Sequence, residues 1–428
     1  MTLNASGPIS LGGTTAGQSA EVELGGTGTA AITMNDSNLR TLAAVGGSGA
    51  QWSMNSLYGK SNTPGRSLWG WGSNSSGILG NGTTTQTSTP VQVGALSDWS
   101  MVASGAYSTV MIKQNGSLWL CGSDGYGQNL GMGAAISSPV QVGLLTNWKS
   151  VSSGKYCNVA LKTDGTIWGW GNNKVGTLGQ GTVATGVSSP VQMSAATNWS
   201  AIAVANGNGN PGSHTLALKT DGTVWGCGYN TAGQLGDNTV VNKSTFVQIG
   251  SLTTWAAISV GFRATAMIKT DGSMWACGYN YRGQAGIGVF HGANLSSPVK
   301  VLGAQVWASV AVGFGATLAI DTSGKLWACG NDAYNYGFLG LGSAGMGATG
   351  VSTFVQVGAL TNWASVSLGG LTASAIKTDG TIWGWGANYA TQLGTGAVAQ
   401  YSSPIQIGSL STWKTVTSSG TSSIFGTR

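Results

Sequence analysis

Charge is what this sequence has least of: 18 basic and 12 acidic residues in a chain of 428. No run of Lys or Arg exists to track phosphates, and a net charge of +6 is thin over such a length. Nucleic acid is therefore not an expected partner. Histidine is almost missing, with His214 and His291 far apart on different repeats and no acidic residue beside either. That leaves a Ser/Cys–His–Asp arrangement without parts, and both histidines read as polar loop residues. Cysteine is present five times, an odd number, with no Cys-x-x-Cys pair. A disulfide framework and a structural zinc site are both disfavoured, and a reducing, cytoplasmic place of synthesis is expected. No apolar run approaches a membrane span. The opening Met1-Thr-Leu-Asn-Ala-Ser-Gly-Pro8 lacks the basic and apolar regions of a secretory leader, so ordinary secretion is not expected.

What is abundant is glycine, 72 residues, and tryptophan, 18 residues, and both recur on a schedule. The pattern aliphatic-Trp-x-(Trp or Cys)-Gly occurs seven times, beginning at Leu68, Leu118, Ile167, Val224, Met274, Leu326 and Ile382, at spacings of 49 to 57 residues. A period of that length points to a propeller or solenoid. Three more submotifs follow in fixed order. A Leu-Gly-x-Gly-type turn comes first (Leu79–Gly82 and its equivalents). Next is a strand read as starting at a proline or its variant (Pro90–Gly94, Phe246–Gly250). Last is a Trp-led hairpin whose return strand ends in Lys-Thr-Asp-Gly, as at Lys162–Gly165. Asp-Gly between alternating apolar residues is a tight-hairpin signal. Four short strands per repeat, seven times, predict an all-β fold, a seven-bladed propeller over residues 61–428.

The ends of the repeat region predict how the ring closes. Residues 413–428 are a Trp-led hairpin cut off where the Asp-Gly turn would come, and Leu68 begins just after that point. The C-terminal hairpin is expected to complete the blade that opens at Leu68, which removes exposed strand edges. Residues 1–60 stand apart. Short strands are expected near Ala20–Leu24 and Thr29–Met34, then a helix over Leu39–Ala43 capped by Asn35–Ser37. So small a core borrows stability from a partner or from the propeller.

Seventeen of the 18 tryptophans fall on repeat positions and read as scaffold. Cys121, Cys227, Cys277 and Cys329 occupy the position held elsewhere by Trp71, Trp170 and Trp385, which marks a packing site. The acidic residues are largely consumed by hairpin turns (Asp164, Asp221, Asp271, Asp379), so no carboxylate pair is expected. No residue set for an enzyme, metal or cofactor can be named. The constellation that remains is polar and aromatic. The loop after each Leu-Trp-x-x-Gly strand carries residues such as Tyr126, Tyr229, Asn230, Tyr279, Tyr281, Tyr334, Tyr336 and Tyr389, on equivalent loops expected to share one face of the disc. Tyrosine offers a flat apolar surface with a polar tip, suited to a sugar, to a protein, or to capping the neighbouring blade.

The cycle of these submotifs resembles the RCC1-like repeat (regulator of chromosome condensation), whose members are seven-bladed propellers. That resemblance implies the fold and not the family archetype's nucleotide-exchange activity, because fold does not carry function. Residues 1–60 resemble the N-terminal attachment segment of tailed-phage virion proteins, through Ser6–Leu11, Ile32–Asp36, Leu39–Ala43 and Ser53–Ser61. Pro8, Ile9, Leu11, Leu39, Leu42, Leu57 and Tyr58 carry that likeness. Together they imply a virion protein, made in the host cytoplasm and released by lysis. It would be a tail-fibre or receptor-binding appendage joined to other virion proteins through residues 1–60, its propeller meeting a host-surface glycan or protein. Two alternatives stand beside it: an architectural neck, baseplate or capsid-decorating subunit, and a cellular RCC1-like interaction module. No cofactor or membrane insertion is implied, and an oligomeric or multi-subunit assembly is expected.

Overall fold

The computed structural model of the chain describes residues 20–21, 31–32, 65–123, 135–206, 213–290, 294–332, 335–342, 350–420 and 422–428. The chain divides into two compact units, Met1–Gly65 and Arg66–Arg428. In the first, Ala20–Glu21 pairs antiparallel with Ala31–Ile32, within the two short strands expected there. The helix expected over Leu39–Ala43 and the seven attachment residues from Pro8 to Tyr58 lie outside the described residues.

The second unit is a seven-bladed β-propeller of four-stranded antiparallel sheets. Blade 2 shows the pattern: Trp99–Ser104 innermost, then Ser108–Lys113, Leu118–Gly122 and, outermost, Ile136–Gln141. Blades 3 to 7 start at Trp148, Trp199, Trp255, Trp307 and Trp363. Blade 1 takes its two inner strands from the C-terminal end, Thr415–Ser418 and Ser423–Thr427, and its two outer ones from Leu68–Gly72 and Thr87–Gln92. Across this seam Leu68 faces Thr427, Gly70 faces Phe425 and Gly72 faces Ser423. Ser67 and Arg428 exchange backbone hydrogen bonds of 2.9 and 3.1 Å. Closure at Leu68 is thus as the truncated final repeat implied. The antiparallel order puts the first and third turns of every blade on one face, called here the loop face. The Asp-Gly turns and the connections to the next blade lie on the other, the turn face.

One sequence-based expectation needs correcting. Proline does not start the outer strand: Thr87–Gln92 begins three residues before Pro90. The pairing jumps from Gly70↔Val91 to Gly72↔Thr87, so Pro90 lies within an irregular stretch of an edge strand. A missing donor is tolerated there, and the proline blunts an edge open to another chain.

Blades are joined by three recurring devices. The residue ending the Leu-Gly-x-Gly turn donates its N–H to the outer strand of the next blade in several blades: Gly82 to Ser137 at 2.7 Å, Gly181 to Ser244 at 2.7 Å, Gly288 to Ser352 at 2.8 Å. Gly396 does the same to Ser88 at 2.8 Å, carrying the contact from blade 7 across to blade 1. Asn238 takes the glycine's place once, with φ of 62°, a conformation that asparagine tolerates better than most residues. In the second device the Trp/Cys position donates, in five of the blades, to the carbonyl just before the previous blade's Leu-Gly pair or its equivalent, whereas Trp71 Nε1 is buried without a partner. Trp385 Nε1 donates to Phe338 O at 3.0 Å, Cys121 Sγ to Ile78 O at 3.3 Å and Cys227 Sγ to Thr177 O at 3.3 Å. Indole and thiol are both donors, so the two residues share a bond as well as a space. Burial pushes the Cys157 and Cys277 thiols up to about 12, and all five free cysteines are buried and chemically inert. Third, inner-strand serines accept an N–H from the inner strand of the next blade, as Ser152 Oγ does from Val204 at 3.0 Å and Ser367 Oγ from Ser418 at 2.9 Å.

The turn face is fixed by a Trp–Lys–Trp sandwich. The inner-strand tryptophans are 2–5% exposed, and each meets the third-strand tryptophan edge-on, as Trp148 meets Trp168 at 6.2 Å. Lys162 Nζ sits 4.8 and 3.7 Å from these two rings, a desolvated cation–π contact. Arg428 plays this part at the seam, 3.8 Å from Trp69. Blade 6 replaces the lysine with Asp321, whose carboxylate accepts from Trp327 Nε1 at 2.8 Å and from Ser323 Oγ at 2.6 Å. In blades 3, 4, 5 and 7 the turn carboxylate holds the hydroxyl that holds the indole: Trp168 Nε1 donates to Thr166 Oγ1, which donates to Asp164.

That relay predicts an acid response. Hydroxyl hydrogen bonds, first among the causes, hold Asp164, Asp221, Asp271 and Asp379 below the ordinary value of 3.8. A depressed carboxylate contributes stability above its unfolded pKa and loses it as pH falls through the folded value. The melting temperature should hold down to about pH 5 and fall below about pH 4. Asp221→Asn with Asp379→Asn should flatten that fall, since Asn115 accepts the same bond from Ser117 Oγ at 2.7 Å without titrating. Thermal melts across pH decide it, and an unchanged slope in the double variant counts against the relay.

Candidate functional site

The loop face is built from the glycine that ends each third strand. At Gly278 φ is +95°, and a Cβ there would fall 2.3 Å from Arg263 O, so only glycine lets the two segments approach. Tyr279 N then donates to the same carbonyl at 2.7 Å. The next residue turns inward. Asn280 is fully buried, its Oδ1 accepting from Ala285 N at 3.0 Å and its Nδ2 donating to Val289 O at 3.3 Å. Asn230 is arranged alike, accepting from Leu235 N at 2.9 Å and donating to Thr239 O at 3.1 Å and Val241 O at 3.2 Å. Asn230 is therefore a scaffold of its own loop, not the outward contact residue that its position beside Tyr229 implied. A buried amide that satisfies both its ends locally has nothing left to offer a ligand.

The tyrosines share the loop face. Tyr281 and Tyr389 are about half exposed, at 51% and 53%, and Tyr229, Tyr279 and Tyr336 are half-buried. Tyr279 stacks on Tyr281 at 6.0 Å, and Tyr336 meets Tyr389 of the next blade at 6.1 Å. Ser422 Oγ donates to the Tyr389 hydroxyl at 3.0 Å, a bond from blade 7 to blade 1. The loops of blades 4, 5 and 7 reach the inner turn of the following blade, Tyr229 at Arg263, Arg282 at Phe314 and Tyr389 at Ser422. Tyr126, Tyr334 and His291 lie outside the described residues.

Closer to the axis the structure adds residues that the repeat reading passed over. The inner turns carry aromatic rings in two neighbouring pairs, Tyr107 with Tyr156 at 5.6 Å and Phe262 with Phe314 at 4.9 Å. Cations accompany them. Lys155 Nζ lies 5.0 Å from the Tyr156 ring, Arg263 lies 5.0 Å from Phe262 and 5.5 Å from Tyr229, and Arg282 lies 5.4 Å from Phe314. The available signal was an aromatic residue recurring just after the glycine that ends the inner strand, as in Gly105-Ala-Tyr107 and Gly261-Phe262. The inner strands enclose a central cavity of about 390 Å³ lined by small residues such as Ser104, Val151, Val312 and Thr417. Asn206 reaches across its mouth, donating to Ser104 O at 3.4 Å. It also crowds Gly420, where a Cβ would fall 2.1 Å from its Oδ1.

His214 is not a loop residue. It starts a blade 4 strand, is fully buried, and burial pushes its pKa down to about 3. Its Nε2 lies 3.0 Å from Thr265 Oγ1, but that hydroxyl donates to Gln234 O at 2.7 Å. The histidine must therefore be the donor, so it cannot act as base toward the hydroxyl. Asp332, fully buried, accepts from Tyr336 N at 3.1 Å and from Gly337 N, and burial pushes its pKa up. Among the described residues no group of three His, Cys, Asp or Glu side chains could hold a metal ion. What the loop face offers is stacking surface and cationic hydrogen-bond donors.

Residues 67–112, 164–218 and 379–425 match the Regulator of chromosome condensation (RCC1) repeat. Residues 148–177, 212–234 and 255–284 match a second description of that repeat. Among solved structures the chain is similar to human WBSCR16, with 18% identity over 85% of this chain and 98% of that one, and a TM-score of 0.74. It is also similar to Prp20p from Saccharomyces cerevisiae, a protein examined for its binding to Gsp1p and histones, with 18% identity, 85% and 91% coverage and a TM-score of 0.74. Yeast RCC1 (Prp20) with Kap60 bound to it gives 18% identity, 85% and 89% coverage and a TM-score of 0.73. At such identity the likeness is one of fold.

Proposed function

We propose that this propeller of RCC1 repeats is a protein-interaction module that meets its partner with the loop face. The observation that carries the reading is the aromatic–cationic rim. Tyr281 and Tyr389 stand half exposed, and Arg263 lies against two rings. Aromatic and Arg side chains supply most of the energy of protein interfaces, since rings bury large areas for few rotatable bonds and the guanidinium offers a planar fork of donors. The yeast structures support the reading to the extent that a protein of this fold binds Gsp1p, histones and Kap60. A photo-cross-linking phenylalanine analogue at Tyr281 or Tyr389 should capture a protein partner in the cells of origin. The same analogue at Asp221, on the turn face, should capture none. Equal capture from both faces, or none from the loop face, overturns the assignment.

The narrower reading, a tailed-phage virion appendage held by residues 1–60, draws on the sequence likeness of Ser6–Leu11 and Ser53–Ser61. Mass spectrometry of purified particles tests it, and absence of this chain from them leaves the cellular interaction module.

A further inference from the structure

We infer that the loop face takes an acidic peptide segment, laid across the Phe262–Phe314 pair. The inference rests on the reading of this face as a protein-binding surface and names the partner's chemistry. Among its described residues the face carries cations but keeps its carboxylates inside. Among the described residues it holds two, Asp237 and Asp332. Asp237 is engaged by Lys243 at 3.2 Å and by Asn230 and Thr239, with its side chain 7% exposed. Asp332 is fully buried under backbone N–H donors.

Arg263 therefore has no described carboxylate partner, and its Nε is buried without a hydrogen bond. Its guanidinium lies against Phe262 and Tyr229, held by rings and not by an anion. With Nε enclosed, the two terminal Nη groups are the donors that can meet a carboxylate, and together they still form a planar fork. Arg282 is seated on the other ring of the pair. Its stem passes over Gly315, where a Cβ would fall 2.6 Å from Arg282 Cδ. A residue larger than glycine there would displace it, so the backbone itself makes room for this arginine. Two planar cations thus flank one aromatic pair on adjacent blades, with Lys155 beside a second pair at the same mouth. Carboxylates spaced along an extended chain meet Arg263 and the positive charge that Arg282 adds beside it, while apolar side chains pack on the rings. A polyphosphate strand matches less well, because so few cations neutralise few phosphates.

Fluorescence anisotropy tests this on the full chain. The probes are a labelled peptide alternating Glu and Phe, its Lys-for-Glu counterpart, a single-stranded oligothymidylate and a heparin fragment. The acidic peptide should bind saturably and more weakly as salt rises. Arg263→Gln with Arg282→Gln should weaken it at least about tenfold, the loss expected for charged hydrogen bonds. Arg263→Lys with Arg282→Lys, which keeps charge and stem but loses the fork, should fall between. Lys300→Gln with Lys414→Gln, on the turn face, should leave binding unchanged. No saturable acidic-peptide binding, tighter binding of oligothymidylate or heparin, or equal loss from the turn-face variant overturns the inference. Protein capture from Tyr281 without acidic-peptide binding would sink this inference alone. Failure of that capture sinks the broader reading.

Discussion

A chain ending before Trp413 should not yield cooperatively folded protein. Residues 413–428 supply both inner strands of blade 1, and with them the buried side chains Trp413, Ile424 and Phe425. Losing a buried Trp or Phe side chain costs about 3–5 kcal/mol each, and a whole domain holds only about 5–15 kcal/mol. The loss also bares Leu68 and Trp71 and breaks the backbone exchange between Ser67 and Arg428. The expected result is insoluble protein, or soluble protein with no sigmoidal melt by circular dichroism. A truncated chain melting like the full one would falsify closure at this seam.

The second large effect concerns the position shared by Trp and Cys. Trp385→Ala should cost about 3–5 kcal/mol, because the indole is fully buried and donates to Phe338 O. Trp385→Cys should keep the donor and still lose most of the packing. Blades 4 and 6 show how that packing is regained. Where Cys227 and Cys329 replace the indole, Phe246 and Phe354 stand where blade 7 has Pro404. Phe246 meets Trp199 at 5.3 Å and Phe354 meets Trp307 at 4.7 Å. Trp385 makes the corresponding contact with Trp363 at 6.2 Å. Trp385→Cys combined with Pro404→Phe should therefore recover stability lost by Trp385→Cys alone, with a coupling of about 1–3 kcal/mol. Denaturant melts of the four proteins measure it, and strict additivity would show that the two positions do not share a space. Blades 2 and 5 pair Cys with proline, as Cys121 with Pro139 and Cys277 with Pro298, and nothing in the structure explains how they fill the difference.

Period and turn chemistry made the fold legible before any coordinate. Asp-Gly turns located the hairpins, and the interrupted last repeat located the seam, because both are local signals. Three things were not local. Pro90 marks a strand from within, since pairing irregularity between Gly70 and Gly72 is set by the neighbouring strand and not by the proline. Asn230 looks outward in sequence and faces inward in space, because its amide closes a loop whose partners lie five to eleven residues on. His214 follows an irregular insertion yet begins a buried strand. The tyrosine loops were found as a group because they follow a conspicuous motif. The Phe262–Phe314 pair was not, since only the curvature of the ring brings consecutive inner turns together.

The clasp between Ser67 and Arg428 also bears on connectivity. Each of these residues sits at the strand end where other blades place a Lys-Thr-Asp-Gly turn, so blade 1 differs from its neighbours by one missing covalent link. For the propeller taken alone, residues 67–428, a short linker there and new ends at the Asp221-Gly222 turn would give a circular permutant with the same strands, the same pairings and the same ring. Tolerance of such rearrangement is expected where the old ends adjoin and the new ones open in an exposed turn. Which blade is split is thus a property of the gene's reading order, and the ring itself has no first blade.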